Sequence, residues 1–199
     1  MNADILAQLP GNTHHAAAAP RLDLYAGIHK ELREFMGATL GRVGRINVDG
    51  ADGWRRTLAQ VEALLAELRH HVHNENNFVH TAIEARRPAG SARTAGDHVE
   101  HLVAIADLED ELRALRAAAP DRRGALVQRL YRHLAGFVAE NLEHMQVEET
   151  MNNAVLWSLY TDAELAAIHG AIMATIGPDE MATVMRWMSR ALSPQELAA

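Results

Sequence analysis

The chain has 199 residues, a formal net charge of −7 and no cysteine. This length suits one domain, the acidic balance argues against nucleic acid as a partner, and the lack of cysteine excludes disulfides and thiolate metal sites. No apolar run approaches the roughly 20 residues that span a bilayer and no secretory signal is visible, so we expect a cytoplasmic protein with no membrane partner.

Helical periodicity runs through most of the chain, and strand-like alternation extends over only a few residues at a time. We expect residues 1–20, which are rich in alanine, to form a flexible N-terminal arm. The first helix should span about residues 22–40, with His29 inside its apolar stripe. After a glycine-containing connection, a second helix should start near residue 54 and end at the sequence RRPAGS.

Two further long helices are predicted in the middle of the chain. The third should start near Thr94 or Asp97 and stop at Pro120, and the fourth should span about residues 121–157. Short connections force neighbouring helices to run antiparallel, and each apolar stripe must be covered by another helix. We therefore predict an all-α protein with an antiparallel four-helix bundle over residues 21–157.

Residues 158–199 are predicted to be a C-terminal helical extension of two additional helices that pack on the bundle. Thr161 with Glu164 has the pattern of a capping box, and Pro178 suits the first turn of the last helix. A methionine stripe on that helix favours core filling, with a lid over the bundle or a homodimer surface as alternatives. The stripe consists of Met181, Met185 and Met188.

Two segments 73 residues apart carry a carboxylate, a histidine and a carboxylate at successive spacings of four. They are Glu67, His71 and Glu75 in ELRHHVHNENNF, and Glu140, His144 and Glu148 in ENLEHMQVEETM. A step of four on an α-helix is about 40° of rotation and about 6 Å of rise, so each histidine shares a face with the next carboxylate. A neutral imidazole and a carboxylate one turn apart can hold one ion or a bridged pair of ions.

A third match to the same spacing is His80 with Glu84. His80 follows His71 by nine residues, which is about 180° around a regular α-helix. We therefore predict that His80 faces away from the site.

Comparison of helix depths pairs the remaining histidines with the two repeats. His29 lies within about five residues of the depth of His71, and His98 matches the depth of His144 better than His101 does, although His101 could be an additional ligand or support one. Each pair is predicted to bind one metal ion, with two carboxylates bridging both ions. The predicted ligands are His29, His71, Glu75, His98, His144 and Glu148.

This nitrogen and oxygen ligand set leaves open coordination positions. Such a set suits iron, with manganese or zinc as alternatives, and paired iron with open positions can take a small ligand such as O₂, NO or peroxide. Small molecules of this kind are therefore the predicted partners.

At these residues the chain resembles the hemerythrin-like HHE cation-binding domains, over about residues 22–157. The resemblance rests on the histidines in LYAGIHKELREF, HHVHNENNFVHTAIE, DHVEHLVAI and EHMQVEETM. It implies a non-haem di-iron centre, bridged by carboxylates and an oxo or hydroxo group, inside a four-helix bundle. The chain departs from the oxygen-carrying hemerythrins because its third helix has His98 and His101 three apart and its fourth has His144 with Glu148.

Three functions follow from this interpretation. We favour a protein that binds or senses O₂, NO, iron or redox state, because the sequence shows no separate substrate pocket or proton relay. The alternative is a di-iron enzyme that acts on peroxide or NO, or a protein of iron delivery or repair. A metal-free helical interaction module is the third hypothesis, and whether the protein is an enzyme stays open.

Overall fold

The computed structural model describes residues 21–197, and all regular secondary structure in this range is helical. The predicted all-α class is therefore confirmed, while the predicted N-terminal arm, residues 1–20, lies outside the described residues. None of the helices in the described part of the chain is long and apolar enough to cross a bilayer. In chain order the elements are α1 (Ala26–Gly44), α2 (Ala51–Asn74), π1 (Glu75–His80), α3 (Thr81–Arg86), α4 (Ala92–Ala117), α5 (Pro120–Val147), π2 (Glu148–Asn152), α6 (Asn153–Leu159), α7 (Asp162–Met173), α8 (Pro178–Ala191) and α9 (Pro194–Leu197).

The four long helices contact one another in a closed ring. Helix α1 contacts α2, α2 contacts α4, α4 contacts α5, and α5 contacts α1. Each helix therefore buries its apolar face against two others, and leucines dominate the shared core. Fully buried members of this core include Leu32, Leu64, Leu65, Leu108 and Leu134.

Two π-helical segments interrupt the second and fourth predicted helices, which we expected to be continuous. Segment π1 begins at Glu75 and π2 begins at Glu148. A π-helix bonds i to i+5 rather than i to i+4, so each such turn takes in one additional residue and the residues after it face a different direction. Sequence periodicity of 3.6 residues does not reveal this change.

Three helices, α7, α8 and the four-residue α9, follow residue 160 where two were predicted; α8 and α9 contact α1, and α7 contacts π1. The ring of Trp187 on α8 stacks on Phe35 with centroids 4.3 Å apart. Lys30 forms an ion pair with Glu196 on α9 at 2.7 Å. The predicted capping box of Thr161 and Glu164 is confirmed at the start of α7.

Two carboxyl groups face each other inside the core between α1 and α2. Glu31 is 0% exposed and Glu67 is 6% exposed, and none of the other described groups donates a hydrogen bond to their oxygens. Burial and the neighbouring Glu67 charge raise the pKa of Glu31 to about 9, and burial raises the pKa of Glu67 to about 7. The pair therefore holds a proton at neutral pH.

This pair predicts a pH-dependent stability. A carboxyl whose pKa is about 9 when folded and 4.5 when unfolded binds more protons in the folded state between these values, so stability falls as pH rises through that window. Glu31→Gln removes the ionisable group and should raise the free energy of unfolding by about 1 to 3 kcal/mol at pH 8 and by less at pH 5. Urea unfolding at the two pH values measures the difference.

Glu34→Gln is the matched control, because Glu34 lies on the same helix with its side chain 37% exposed. It should shift stability little at either pH. A Glu31→Gln variant that is less stable than the parent at pH 8 would contradict the proton-sharing pair.

Candidate metal centre

Six buried or nearly buried side chains converge between the long helices. Helices α1, α2, α4 and α5 supply one histidine each, and π1 and π2 each supply their first residue, a glutamate. Their ligand atoms form two groups, and within each group these atoms lie within 4.8 Å of one another. The first group is His29, His71, Glu75 and Glu148, and the second is Glu75, His98, His144 and Glu148.

Glu75 has one oxygen on each side of the site. Its Oε1 lies 3.4 Å from Nε2 of His29 and 3.2 Å from Nε2 of His71. Its Oε2 lies 3.2 Å from Nε2 of His98. This is the arrangement that a carboxylate bridging two cations requires.

Glu148 is also shared between the two groups. Its Oε2 lies 3.5 Å from Nε2 of His29 and 3.2 Å from Nε2 of His144. Its Oε1 lies 3.7 Å from Nε2 of His98. The Nε2 atoms of His98 and His144 are themselves only 3.0 Å apart.

An outer ring of acceptors orients three of the four histidines. A hydrogen-bond acceptor at Nδ1 favours the tautomer protonated there, which leaves the Nε2 lone pair free to face the centre. Glu149 is itself held by two hydrogen bonds from Arg33, at 2.6 and 3.0 Å. The Nδ1 contacts are His29 to Glu149 at 3.1 Å, His98 to Asn76 at 2.8 Å and His144 to Asp97 at 3.2 Å.

The carboxylates of Glu75 and Glu148 are surrounded by histidine rings, and these neighbours shift the pKa values of the site. Burial opposes ionisation of Glu75, but the neighbouring histidines hold its pKa well below the usual range. Burial also lowers the pKa of His29, yet the hydrogen bond to Glu149 and the nearby charges of Glu75 and Glu148 raise it to about 9. Burial lowers the pKa of His71 to about 4, so this imidazole is neutral. The nearby acceptors and charges thus outweigh burial at His29, whereas burial outweighs the charge of Glu75 at His71.

The buried donor atoms fit a bound cation. Both oxygens of Glu75 and Glu148 are buried without a hydrogen-bond donor among the described residues, as are the Nε2 atoms of His29 and His71. Unsatisfied buried carboxylates are costly, and a cation would satisfy all of these atoms together. Imidazole and carboxylate donors suit iron, manganese and zinc.

The structure brings His98 and not His101 into the two groups. His101 is buried beside the site, with its ring centroid 4.8 Å from that of His144 and 5.9 Å from that of Phe137. Burial lowers the pKa of His101 to about 4. It therefore packs as a neutral ring next to the predicted ligands.

The prediction that His80 faces away from the site is wrong. Its Nε2 lies 3.6 Å from Oε1 of Glu148, and its ring is stacked on His98 with centroids 4.8 Å apart. The one-residue register change in π1 rotates His80 by about 100° relative to a regular helix. Glu84, its apparent partner in sequence, instead accepts hydrogen bonds from Ser91 at the start of α4.

A buried hydrogen-bond chain that sequence reasoning missed leads away from His80. Thr94 Oγ1 lies 3.1 Å from Nε2 of His80, and Asn152 Nδ2 donates to both Thr94 at 3.1 Å and Tyr25 at 3.3 Å. Burial, followed by the charges of Glu148 and Glu75, raises the pKa of Tyr25 well above its usual value. No local spacing marks these residues, because they come from four separate segments.

Two cavities reach the site from different sides. A polar cavity of about 160 Å³ is lined by His144, His101, Asp97 and surrounding charged residues. An apolar cavity of about 320 Å³ reaches His71 and Glu75. Each histidine group therefore has its own access to the surroundings.

Comparison with known proteins agrees with this geometry. The family model described as Hemerythrin HHE cation binding domain matches residues 21–156, which include all six converging side chains. No curated protein matches the chain. The chain belongs to the hemerythrin HHE cation-binding domain family.

Proposed function

We propose that the protein holds a non-haem di-iron centre. His29 and His71 bind one ion, His98 and His144 bind the other, and Glu75 and Glu148 bridge the two. The observation that carries this proposal is that two four-residue groups share the same two carboxylates. An oxo or hydroxo group completes the bridge, and manganese or zinc are the alternative metals.

The proposed architecture follows from the same family membership. The ring of α1, α2, α4 and α5 forms an antiparallel four-helix bundle over residues 21–157, with residues 158–199 as an extension packed on it. The contact of α8 with α1 supports this division. We also propose a cytoplasmic location, and homodimer formation as a further hypothesis.

The proposed role of the centre is to bind or sense a small molecule, with O₂ and NO as the first candidates and iron or redox state as further signals. The protein offers two histidines and two shared carboxylates to each ion, which leaves coordination positions for such a ligand. The two cavities that end at the site support its access.

An enzyme that acts on peroxide or NO is the second candidate, together with iron delivery or repair. The buried hydrogen-bond chain from His80 through Thr94 and Asn152 to Tyr25 favours it, because turnover of peroxide or NO needs groups that can move protons to and from the site. A metal-free interaction module is disfavoured by the buried carboxylate oxygens that have no donor among the described residues.

Anaerobic titration separates the two candidates. Protein reconstituted with ferrous iron is mixed with O₂, NO or peroxide, followed by optical spectra and product analysis. A stoichiometric change that reverses when the gas is removed indicates binding or sensing. Sustained consumption of peroxide or NO over many turnovers would contradict a binding-only role and support the enzyme.

Metal content is the direct test of the centre. We expect two irons per chain after anaerobic reconstitution, and the loss of at least one in His71→Ala and in His144→Ala. His73→Ala is the control, because His73 lies on the same helix as His71 but its ring contacts the carbonyl of Arg69 at 2.7 Å on the exposed surface. Elemental analysis of the four proteins gives the answer. Unchanged iron in both site variants would contradict the proposed ligands.

The acceptors around the histidines give a second prediction. Asp97→Ala removes the acceptor at Nδ1 of His144, so the orientation and basicity of that ring are no longer fixed. We expect the affinity for one of the two ions to fall by about 10- to 100-fold. Competition with a chromophoric chelator measures the affinity.

Asp107→Ala is the control for this change, since Asp107 is an exposed residue on the same helix α4. Its affinity should equal that of the parent protein. Equal affinities in Asp97→Ala and Asp107→Ala would show that Asp97 does not support the site.

A further inference from the structure

The C-terminal helices supply one wall of the apolar cavity next to the candidate centre. It lies between α1, α2, α7 and α8 and has a volume of about 320 Å³, which is within the range of small-molecule pockets. Its wall from α7 and α8 lies beyond residues 21–156, the part that matches the family. Apolar residues of this wall and of the connection between α7 and α8 include Ile172, Ile176, Met181, Val184, Met185 and Met188.

The methionine stripe thus has a specific position, since three of its members line this cavity. Methionine side chains are flexible and polarisable, and they adapt their shape to an apolar ligand. A volume of about 320 Å³ holds about ten non-hydrogen atoms if each takes roughly the 30 Å³ of a water molecule. An unbranched chain of about eight carbons with a small polar head has this size.

The polar part of the lining selects the charge of the head. Four carboxylate side chains line the cavity, and no lysine or arginine is among its described lining residues. A carboxylate or phosphate head would be repelled there by these carboxylates. The four acidic residues are Asp23, Glu67, Glu75 and Glu180.

Glu67 is the best-placed acceptor for a positively charged head. Its carboxyl group is 6% exposed, lines the cavity, and receives no hydrogen bond from any described residue other than its neighbour Glu31. Glu180, by contrast, already pairs with His70, and Glu75 belongs to the candidate metal centre. An ammonium group could donate to Glu67 while its chain extends along α8.

We propose that this cavity binds a protonated medium-chain aliphatic amine, with the chain against the methionines of α8 and the ammonium group at Glu67. The site uses no metal ligand for the head, so it exists with or without a bound metal. Its occupant lies beside His71 and Glu75 and is therefore next to the candidate centre.

Calorimetric titration of the full-length protein, both metal-free and iron-loaded, tests the proposal with octylamine, octanol and octanoate as probes. We expect one octylamine per chain in both forms, bound at least about tenfold more tightly than octanol because of its charge-assisted hydrogen bond. Octanoate should not bind measurably. Binding to the metal-free protein separates this result from the fate of the proposed di-iron centre.

Two variants locate the ligand. Glu67→Gln should weaken the affinity for octylamine by about tenfold and leave the affinity for octanol unchanged. Glu62→Gln, a change at an exposed residue of the same helix, should alter neither affinity. Met181→Trp fills the cavity and should abolish binding of both probes. Its metal content should equal that of the parent, since Met181 contacts none of the proposed ligands through a hydrogen bond or ion pair.

Four results would overturn the proposal. They are octanol or octanoate binding as tightly as octylamine, octylamine binding only to the iron-loaded protein, octylamine binding that survives Met181→Trp, and octylamine binding that is unchanged in a folded Glu67→Gln variant. If Glu67→Gln does not fold, the affinities of the parent protein and of the Met181→Trp variant for the three probes still test the proposal.

Discussion

The burial of Glu75 and Glu148 is the constraint on which the rest of the structure depends. Two carboxylates in a helical core carry negative charge that burial makes costly, and no lysine or arginine of the described residues pairs with either. The histidines around them compensate part of this charge, and a cation between them would compensate more. The proposed di-iron centre would satisfy these donor atoms together.

The surrounding helices act to keep these donors in place. Acceptors on the outer side, such as Asp97 for His144 and Asn76 for His98, fix the rings with Nε2 toward the carboxylates. Both π-helical segments begin at the bridging glutamates themselves. Such segments are frequent at functional sites because they direct side chains that a regular helix would turn elsewhere. The two departures from regular α-helical geometry therefore lie at the candidate metal centre.

Spacing along regular helices was enough to predict much of this protein. The all-helical class, the capping box at Thr161 and the pairing of each histidine with a carboxylate four residues later all depend on local periodicity. His80 shows where periodicity fails, because a single π-helical turn places it against Glu148. The Glu31 and Glu67 pair and the apolar cavity depend on contacts between distant helices, which one sequence does not encode in any local pattern.

Crystallography of iron-loaded protein with anomalous scattering at the iron edge tests the central claim most directly. We expect two iron peaks about 3.5 to 4 Å apart. One should lie among His29, His71 and the two glutamates, and the other among His98, His144 and the same glutamates. A single peak, or iron bound away from Glu75 and Glu148, would contradict the proposed centre.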